Sequence, residues 1–336
     1  MNNFFYDYKN LFSEIDYQDG IYLVTGANGS IGSAVVDSML DKINACEFFK
    51  LILVSRSPED LCRKYKDING KNLVILDWKD LDSIDYVDYI LHLASPTSSS
   101  DFHFHPSKTF NDILDYGRLI LDLAVRTKAK STLIASSLEV YGVINKDTCV
   151  NESYKLIYDF DSVRSSYSCA KIALESMARY CSFEHGVSVK VARMSPVLAL
   201  NDCRNDKRLI PSLTFKAIQN DDVVLYSDGS TVRSYCFISD CISALMCLLY
   251  SESDFDIYNV ANDGNIINVR DLATLIIELS ESESGLVYKK DGIKSAIYPP
   301  VIKVIQDVSK LRSLGWIPQV GLHQMLNLYI SYNNSL

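Results

Sequence analysis

Three side chains near the middle of the sequence could together move a proton: Ser137, Tyr167 and Lys171. Tyr167 and Lys171 are four residues apart, so in a helix they lie on one face, one turn from each other. A phenol titrates near pH ~10 and is a poor base at neutral pH, but a nearby ammonium favours the phenolate. With Ser137 sharing the proton, these residues predict acid/base chemistry on a sugar or alcohol oxygen.

The elements that must position this group begin with a strand, a glycine-rich turn and a helix. Residues 21–24 are apolar, residues 25–32 read TGANGSIG, and a helical pattern continues to Leu40. This order is the context of the dinucleotide fingerprint, in which the helix N-terminus faces a pyrophosphate. It predicts a bound dinucleotide held by Gly26, Asn28, Gly29, Ser30, Ile31 and Gly32.

Further apolar segments predict parallel strands at residues 49–54, 73–76, 89–94, 131–135 and 187–191, with a helix at 109–124. Leu93, Ala94 and Ser95 end the fourth strand and suit a cofactor that crosses the carboxyl end of a sheet. Asp77 and Trp78 follow the third strand and are expected to meet the adenine edge. The pattern predicts an α/β fold, a doubly wound parallel sheet of the Rossmann type.

The second strand ends in Ser55-Arg56-Ser57 rather than in an acidic residue. An Asp or Glu there would bind the ribose hydroxyls of NAD, whereas an Arg can pair with the 2′-phosphate of NADP. The sequence therefore favours NADP and leaves NAD open. The alternative is that Arg56 is a solvated loop residue.

Composition limits the class of protein. The chain has 336 residues, a size typical of two domains, and a net charge of −9, which argues against nucleic-acid and membrane-surface partners. Its nine cysteines form no CxxC pair or zinc pattern, which favours reduced thiols, a cytoplasmic location and no metal. Residues 1–20 are expected to form an arm rather than a signal peptide.

A resemblance becomes specific at the fifth strand, which runs into Ser-Ser-Leu-Glu-Val-Tyr-Gly at 136–142. Together with the glycine turn, His-Leu-Ala-Ser at 92–95 and the YxxxK pair, this resembles the extended short-chain dehydrogenase/reductases, in the nucleotide-sugar epimerase/dehydratase branch, over 21–330. The resemblance implies that Ser137, Tyr167 and Lys171 are catalytic and that a nicotinamide exchanges hydride at sugar C4. It also implies a homodimer formed by the helices at 109–124 and after Tyr167.

Glu139 narrows the choice within the branch. A Glu at this place resembles the glucose 4,6-dehydratases and glucuronate decarboxylases, where a carboxylate can serve the step after C4 oxidation. The acid that dehydratases place just before it is here Leu138, which argues against dehydration. Arg164, in a segment that resembles the decarboxylases, could hold an acidic group of the substrate or could be a surface or helix-entry residue.

The second half of the chain predicts a smaller domain. An Asn that relatives use on the substrate is replaced by Pro196, so the identity of the sugar does not carry over. Residues 223–226 with the turn at 227–230 predict a hairpin. Arg233 resembles the arginine that meets the nucleotide diphosphate, with an ion pair to Asp240 as the alternative. Thr97 is a further expected substrate contact.

These observations predict an arm at 1–20, a dinucleotide-binding domain at 21–200 with a return near 233–262, and a nucleotide-sugar-binding domain at 201–232 and 263–336. Three hypotheses stay open. The first is an NAD(P)-dependent, redox-neutral enzyme acting on a nucleotide-diphosphosugar, of epimerase, decarboxylase or dehydratase type. The second is an NADPH-dependent nucleotide 4-ketosugar reductase. The third is a catalytically silent nucleotide-binding regulatory protein.

Overall fold

A computed structural model describes residues 11–13, 15–46, 48–68, 72–142, 144, 148–156, 161–289 and 303–336. Much of the predicted N-terminal arm, residues 1–10 and 14, lies outside the described residues.

Fifteen strands are described. Their bounds are β1 Gly20–Thr25, β2 Phe49–Ser55, β3 Leu73–Asp77, β4 Tyr89–His92, β5 Ser131–Ser137, β6 Thr148–Val150, β7 Val189–Met194, β8 Val197–Leu198, β9 Val223–Leu225, β10 Val232–Ser234, β11 Cys236–Phe237, β12 Phe255–Val260, β13 Ile266–Asn268, β14 Leu286–Tyr288 and β15 Lys303–Gln306.

The described α-helices are α1 Ser30–Ala45, α2 Pro58–Lys64, α3 Ser99–Phe104, α4 Pro106–Thr127, α5 Ser166–His185, α6 Leu209–Ile218, α7 Ile238–Leu249, α8 Val269–Leu279, α9 Ser309–Arg312 and α10 Leu322–Asn334. Short 3₁₀ helices occur at Trp78–Ser83, Leu138–Tyr141, Val163–Ser165 and Cys203–Asn205. Among these described residues, no helix is both long and apolar enough to cross a membrane.

Seven strands form one parallel sheet in the order β12-β7-β5-β4-β1-β2-β3. The strands are buried on both faces: in β1, Tyr22 and Val24 pack in one hydrophobic cluster and Leu23 in another. Strands of this kind are apolar at nearly every position, which explains the unbroken runs in the sequence. The predicted doubly wound parallel sheet is confirmed.

The strand order reverses between β1 and β4, because β2 and β3 extend the sheet on one side and β5, β7 and β12 on the other. In open parallel sheets, ligands bind beyond the carboxyl ends of the strands at such a point. The chain returns to this sheet at β12, after leaving it beyond β7. The division into domains predicted from sequence remains a prediction.

Smaller sheets follow the large one, and they correct the predicted hairpin at 223–230. β9 pairs in parallel with β14, whereas β10 belongs to a separate four-stranded sheet ordered β13-β10-β15-β6. The hairpin prediction was therefore wrong. The turn residues are present, but the two flanking strands find distant partners, and turn chemistry alone does not determine pairing.

Candidate active site

Helix α5 brings Tyr167 and Lys171 to one buried face. Tyr167 is 7% exposed and Lys171 2%, and the Lys171 Nζ lies 5.8 Å from the centre of the tyrosine ring. Nζ donates a hydrogen bond of 2.7 Å to the carbonyl oxygen of Ala135 on β5. The Tyr167 ring stacks on Phe102 with the ring centres 4.2 Å apart, so a packed aromatic fixes the direction of the phenol.

Ser137 reaches the same place from the sheet. It is the last residue of β5, and its Oγ accepts a hydrogen bond of 3.2 Å from the Glu139 amide at the start of the 3₁₀ helix. The Ser137 and Ser95 hydroxyls both hydrogen-bond the Tyr167 phenol. Strand β5 and helix α5 thus bring together the three residues singled out by type and spacing.

A cavity of about 150 Å³ opens beside these groups. Besides Ser137 and Tyr167, it collects three other predicted site residues: Thr97, Glu139 and Arg233. Its lining is Thr97, Phe102, Ser137, Leu138, Glu139, Tyr167, Met194, Ser195, Pro196 and Arg233. Arg233, on β10 of the small four-stranded sheet, therefore faces the end of β5 across the cavity.

The ion pair between Arg233 and Asp240, the alternative to a diphosphate contact, is not formed. Asp240 instead accepts hydrogen bonds from the backbone amides of Gln319 at 2.8 Å and Val320 at 3.1 Å. Within the described part of the chain, Arg233 makes no ion pair with a carboxylate. Its guanidinium is thereby available to a ligand in the cavity.

Burial dominates the electrostatics of the tyrosine-lysine pair. Burial raises the pKa of Tyr167, and the charge of Glu139 adds to this effect, while the hydrogen bond from Ser137 opposes it. Burial also lowers the pKa of Lys171 to about 8, against the opposing charge of Glu175. In the chain alone Tyr167 is therefore a neutral phenol beside an ammonium, and further positive charge is needed to favour the phenolate.

Glu139 and Arg164 are bound to each other. The two Nη atoms of Arg164 donate to the two carboxylate oxygens of Glu139 at 2.9 and 3.0 Å, and both side chains are largely buried, 15% and 20% exposed. Such bidentate pairs are among the stronger polar contacts in proteins. Arg164 is therefore not a solvated surface residue, and among the described residues its buried Nε has no hydrogen-bond partner.

The glycine turn has the shape that a dinucleotide requires. Gly26 has φ +76°, and a Cβ there would lie 2.8 Å from the amide nitrogen of Ala94, while a Cβ on Gly32 would lie 2.2 Å from the Gly26 carbonyl oxygen. Gly29 is the N-cap of α1 and has no side chain, so it makes no side-chain cap hydrogen bond to the first amides of that helix. These amides, next to Asn28, Ser30 and Ile31, can receive a pyrophosphate.

Thr25 ties this turn to the end of β4. Its Oγ1 accepts hydrogen bonds of 3.1 Å from the amides of both Leu93 and Ala94, and lies 3.0 Å from His92 Nδ1. Because those two bonds use the lone pairs of Oγ1, the hydroxyl donates to Nδ1 and His92 carries its proton on Nε2. Burial lowers the pKa of His92 to about 3, so His92 is the neutral core residue that its sequence context predicts.

The residues expected near the adenosine half of the cofactor, Asp77, Trp78 and Arg56, lie in three different environments. Asp77 accepts a hydrogen bond of 3.1 Å from the Lys79 amide and caps the helix that follows β3. The Trp78 ring is 9% exposed and packs against Tyr116, with centres 4.3 Å apart, so the indole lies in the core. Arg56 is 63% exposed and contacts the carboxylate of Asp112 at 3.4 Å.

Sequence reasoning missed a buried network behind the site. Glu175 is one turn beyond Lys171, accepts a hydrogen bond of 2.5 Å from Ser136 Oγ, and forms a bidentate pair with Arg193. Ser136 adjoins the catalytic candidate Ser137, so the network fixes both β5 and α5. The repeated four-residue spacing from Tyr167 through Lys171 to Glu175 was the signal that could have revealed it.

Arg208 was also missed as a neighbour of the glycine turn. It immediately precedes α6, and its Nη2 donates a hydrogen bond of 3.0 Å to Ser30 Oγ. Asp206 holds the guanidinium through bonds of 2.9 and 3.0 Å from Nε. The contact between Arg208 and Ser30 joins residues far apart in the chain, and no local pattern in the sequence indicates it.

Comparison with known proteins accounts for this arrangement. Residues 22–261 match the model of the NAD dependent epimerase/dehydratase family. The chain belongs to this family. The resemblance drawn from the sequence is confirmed, and so is the expectation that the chain is an enzyme.

Individual relatives carry several related activities. The chain is 28% identical over 316 residues to UDP-glucuronic acid decarboxylase 6 of Arabidopsis thaliana, an alignment that covers 91% of this chain and 86% of the relative. UDP-N-acetylglucosamine 4-epimerase of Methanobrevibacter ruminantium superposes with a TM-score of 0.81 at 22% identity, covering 95% of this chain and 99% of that one. UDP-glucuronic acid 4-epimerase of Bacillus cereus, solved with UDP-glucuronic acid and NAD, superposes with a TM-score of 0.77 at 18% identity, covering 94% and 99%.

Proposed function

We propose that this family member oxidises C4 of a nucleotide-diphosphosugar and returns the hydride within the same turnover. The observation that carries the proposal is the cavity in which Ser137, Glu139 and Tyr167 meet Arg233. The first three residues offer proton transfer at a sugar oxygen and at a neighbouring carbon. The arginine offers a planar set of donors to a diphosphate.

The cofactor fits at the glycine turn of α1. There the first helical amides are uncovered, and Gly26 and Gly32 allow a close approach of backbone. The sequence favours NADP through Arg56, but two observations lead us to propose NAD. Arg56 is already in contact with the Asp112 carboxylate, and the Bacillus cereus relative was solved with NAD.

In this proposal Tyr167 takes the proton of the C4 hydroxyl. Ser137, which is hydrogen-bonded to the Tyr167 phenol, holds the C4 hydroxyl next to it. A nicotinamide held at the glycine turn would supply the hydride acceptor for C4. Because burial raises the pKa of Tyr167, the ammonium of Lys171 is needed to make proton removal feasible. Phe102 packs on the phenol ring and excludes water from one of its faces.

We further propose that the sugar is a uronate and that the reaction is of the decarboxylase type. The decarboxylase similarity extends over most of this chain, and Arg164 is the cation next to Glu139. A carboxylate on the substrate would compete with Glu139 for Arg164. Glu139 would then be released while the C4 ketone accepts the electron pair of the breaking bond between C5 and the carboxylate. Carbon dioxide would leave, and Glu139 would hold the water that delivers a proton to C5 before the hydride returns to C4.

The second candidate is an NADPH-dependent 4-ketosugar reductase. Leu138 lines the cavity where a dehydratase-like acid would stand, and an exposed Arg56 could still receive a 2′-phosphate. Arg56 therefore bears on both choices of cofactor: its contact with Asp112 argues for NAD, and its exposure leaves it able to reach the 2′-phosphate of NADP. The two candidates differ in whether a reduced cofactor is consumed.

The test is a panel of nucleotide sugars incubated with purified protein and each cofactor in turn. The proposal predicts a product from UDP-glucuronate whose mass is lower by one carbon dioxide, with no net change in absorbance from reduced nicotinamide. Steady NADPH oxidation with a 4-ketosugar would support the reductase instead. Binding without turnover across the panel would overturn both and favour a regulatory protein.

We also propose that a second copy of the chain covers helices α4 and α5. The two helices pack closely, since a Cβ on Gly117 would lie 2.3 Å from Leu174 Cδ1. On the same helix α5, Tyr180 is 61% and Phe183 89% exposed, and large apolar side chains left in solvent are typical of interfaces. Sedimentation should show a homodimer that Phe183→Glu converts to monomer.

The nine cysteines, all described and all unpaired, agree with the proposed cytoplasmic location.

A further inference from the structure

A second cavity, of about 260 Å³, lies at the amino-terminal edge of the seven-stranded sheet. Its walls include the first residues of β4 and β5, the segments just before β7 and β12, and the end of α7. Ser131 begins β5 and lines this cavity, whereas Ser137 ends β5 and lines the catalytic one. Six strand steps of about 3.3 Å separate the two serines by about 20 Å. The two cavities are therefore distinct.

A buried cation forms the floor of this second cavity. Lys190, on β7, is 1% exposed, and its Nζ donates a hydrogen bond of 3.1 Å to Ser131 Oγ and a shorter one to Ser188 Oγ. An ammonium has three N–H donors, and hydroxyl oxygens carry no net charge to balance it. Across the described ranges of the chain, Lys190 forms no ion pair with a carboxylate.

The charge of Lys190 persists at neutral pH. Burial lowers its pKa to about 8, and the negative charge of Asp254 opposes this shift. The group is thus mainly protonated at pH 7, although a buried uncompensated charge is unfavourable. The Ser131 hydroxyl accepts from Lys190 with a lone pair, so its own hydrogen remains available to an acceptor in the cavity.

The rim has mixed charge and limits what the floor can bind. Lys130 is 57% exposed and pairs with Asp88 at 2.9 Å, so most of its charge is already balanced. Glu252 and Asp254 line the opening and are exposed to solvent. Water screens these two carboxylates more effectively than it screens the buried ammonium. The exposed carboxylates of the rim therefore disfavour a large polyanion, whereas the buried ammonium of the floor still attracts a small anion.

We propose that this cavity binds a small oxyanion, a carboxylate or a tetrahedral sulfate- or phosphate-type group, with one oxygen on Lys190 Nζ and the Ser131 hydroxyl. The bound anion supplies the counter-charge that the fold leaves out. It also raises the pKa of Lys190, so binding takes up protons near pH 8 and weakens as the pH rises further.

The test is calorimetric titration of the full chain with sodium sulfate and with sodium acetate at pH 8, at constant ionic strength set with sodium chloride. Each titration is repeated in two buffers with different heats of ionisation, which measures the protons taken up. We expect saturable binding with uptake of up to about half a proton for a group with a pKa of about 8. Binding of sulfate alone identifies a tetrahedral group, and binding of acetate alone identifies a carboxylate.

Two variants locate the site. Lys190→Met keeps the side-chain length without the charge and should weaken binding at least about tenfold, whereas Lys216→Met, which removes an exposed lysine of α6 outside both cavities, should leave it unchanged. Equal binding by Lys190→Met, loss of binding in Lys216→Met, or no saturable binding of either anion would overturn the proposal. Should Lys190→Met fail to fold, binding to the unaltered chain without proton uptake overturns it as well.

Discussion

Replacing Glu139 by Gln should tighten the binding of a uronate while it reduces turnover. In the structure the two Nη atoms of Arg164 are engaged by Glu139 at 2.9 and 3.0 Å. A substrate carboxylate must break this pair before it can use the same donors. The amide of Gln keeps the shape of the side chain but binds the guanidinium more weakly.

The size of the effect follows from the geometry. A hydrogen bond to a charged group contributes about 1.5–3 kcal/mol, and the partial exposure of both side chains reduces the net value of the pair to about 2 kcal/mol. At 1.4 kcal/mol for each factor of ten, removing that competition corresponds to about 30-fold in Kd. Loss of the Glu139 carboxylate near C5 should meanwhile lower kcat by about a hundredfold or more.

The assay is titration of UDP-glucuronate into Tyr167→Phe protein, in which turnover is arrested, with and without Glu139→Gln. UDP-glucose, which has no carboxylate, is the matched ligand, and its affinity should change little. A Glu139→Gln protein that binds UDP-glucuronate no more tightly would refute the competition for Arg164.

Loss of the repulsion between two carboxylates could also tighten binding, and the double variant separates the two causes. If Arg164 is the group contested, Glu139→Gln should produce little gain in an Arg164→Met background. If repulsion alone is responsible, the full gain should remain there, and Arg164 would not be the uronate contact.

Three further predictions concern single residues. Tyr167→Phe should lower kcat by about a hundred- to ten-thousandfold and leave bound cofactor unchanged, measured by steady-state rates and cofactor titration; near-normal turnover would eliminate it as the acid/base. Arg56→Ala should weaken NADP more than NAD, and equal losses would show that Arg56 does not contact the 2′-phosphate. Lys171 and Lys190 have pKa values of about 8 in the folded chain, below the ordinary 10.5, so these two groups bind more protons in the unfolded chain and contribute stability that grows as pH increases from about 8 toward 10.5. In denaturant unfolding, Lys190→Met should therefore lose stability relative to the unaltered chain as the pH rises over this range, and a difference in free energy of unfolding that does not change with pH would contradict the assignment.

The parts that the sequence predicted are those set by local pattern. Apolar runs bounded by turns identified the strands of the large sheet, and the spacing of Tyr167 and Lys171 placed both on one helix face. The glycine turn was recognisable because a Cβ at Gly26 or Gly32 would collide with neighbouring backbone atoms, so only glycine fits at either position.

The parts that the sequence did not predict depend on contacts between distant segments. The pairing of Glu139 with Arg164 joins the end of β5 to the approach to α5, and neither residue type reveals its partner. The two strands around residue 228 have good turn residues between them yet pair elsewhere. Trp78 lies at a strand end that suits adenine, but its ring packs against Tyr116 and is buried in the core.

The hydrogen on C4 provides the most direct test of the proposed chemistry. A nucleotide uronate carrying deuterium at C4, turned over with NAD in ordinary water, should yield a product that retains the deuterium at C4, because the hydride leaves and returns within one turnover. Product that has lost the label, or accumulation of reduced cofactor in proportion to product, would contradict a redox-neutral reaction at the site formed by Ser137, Tyr167 and Lys171.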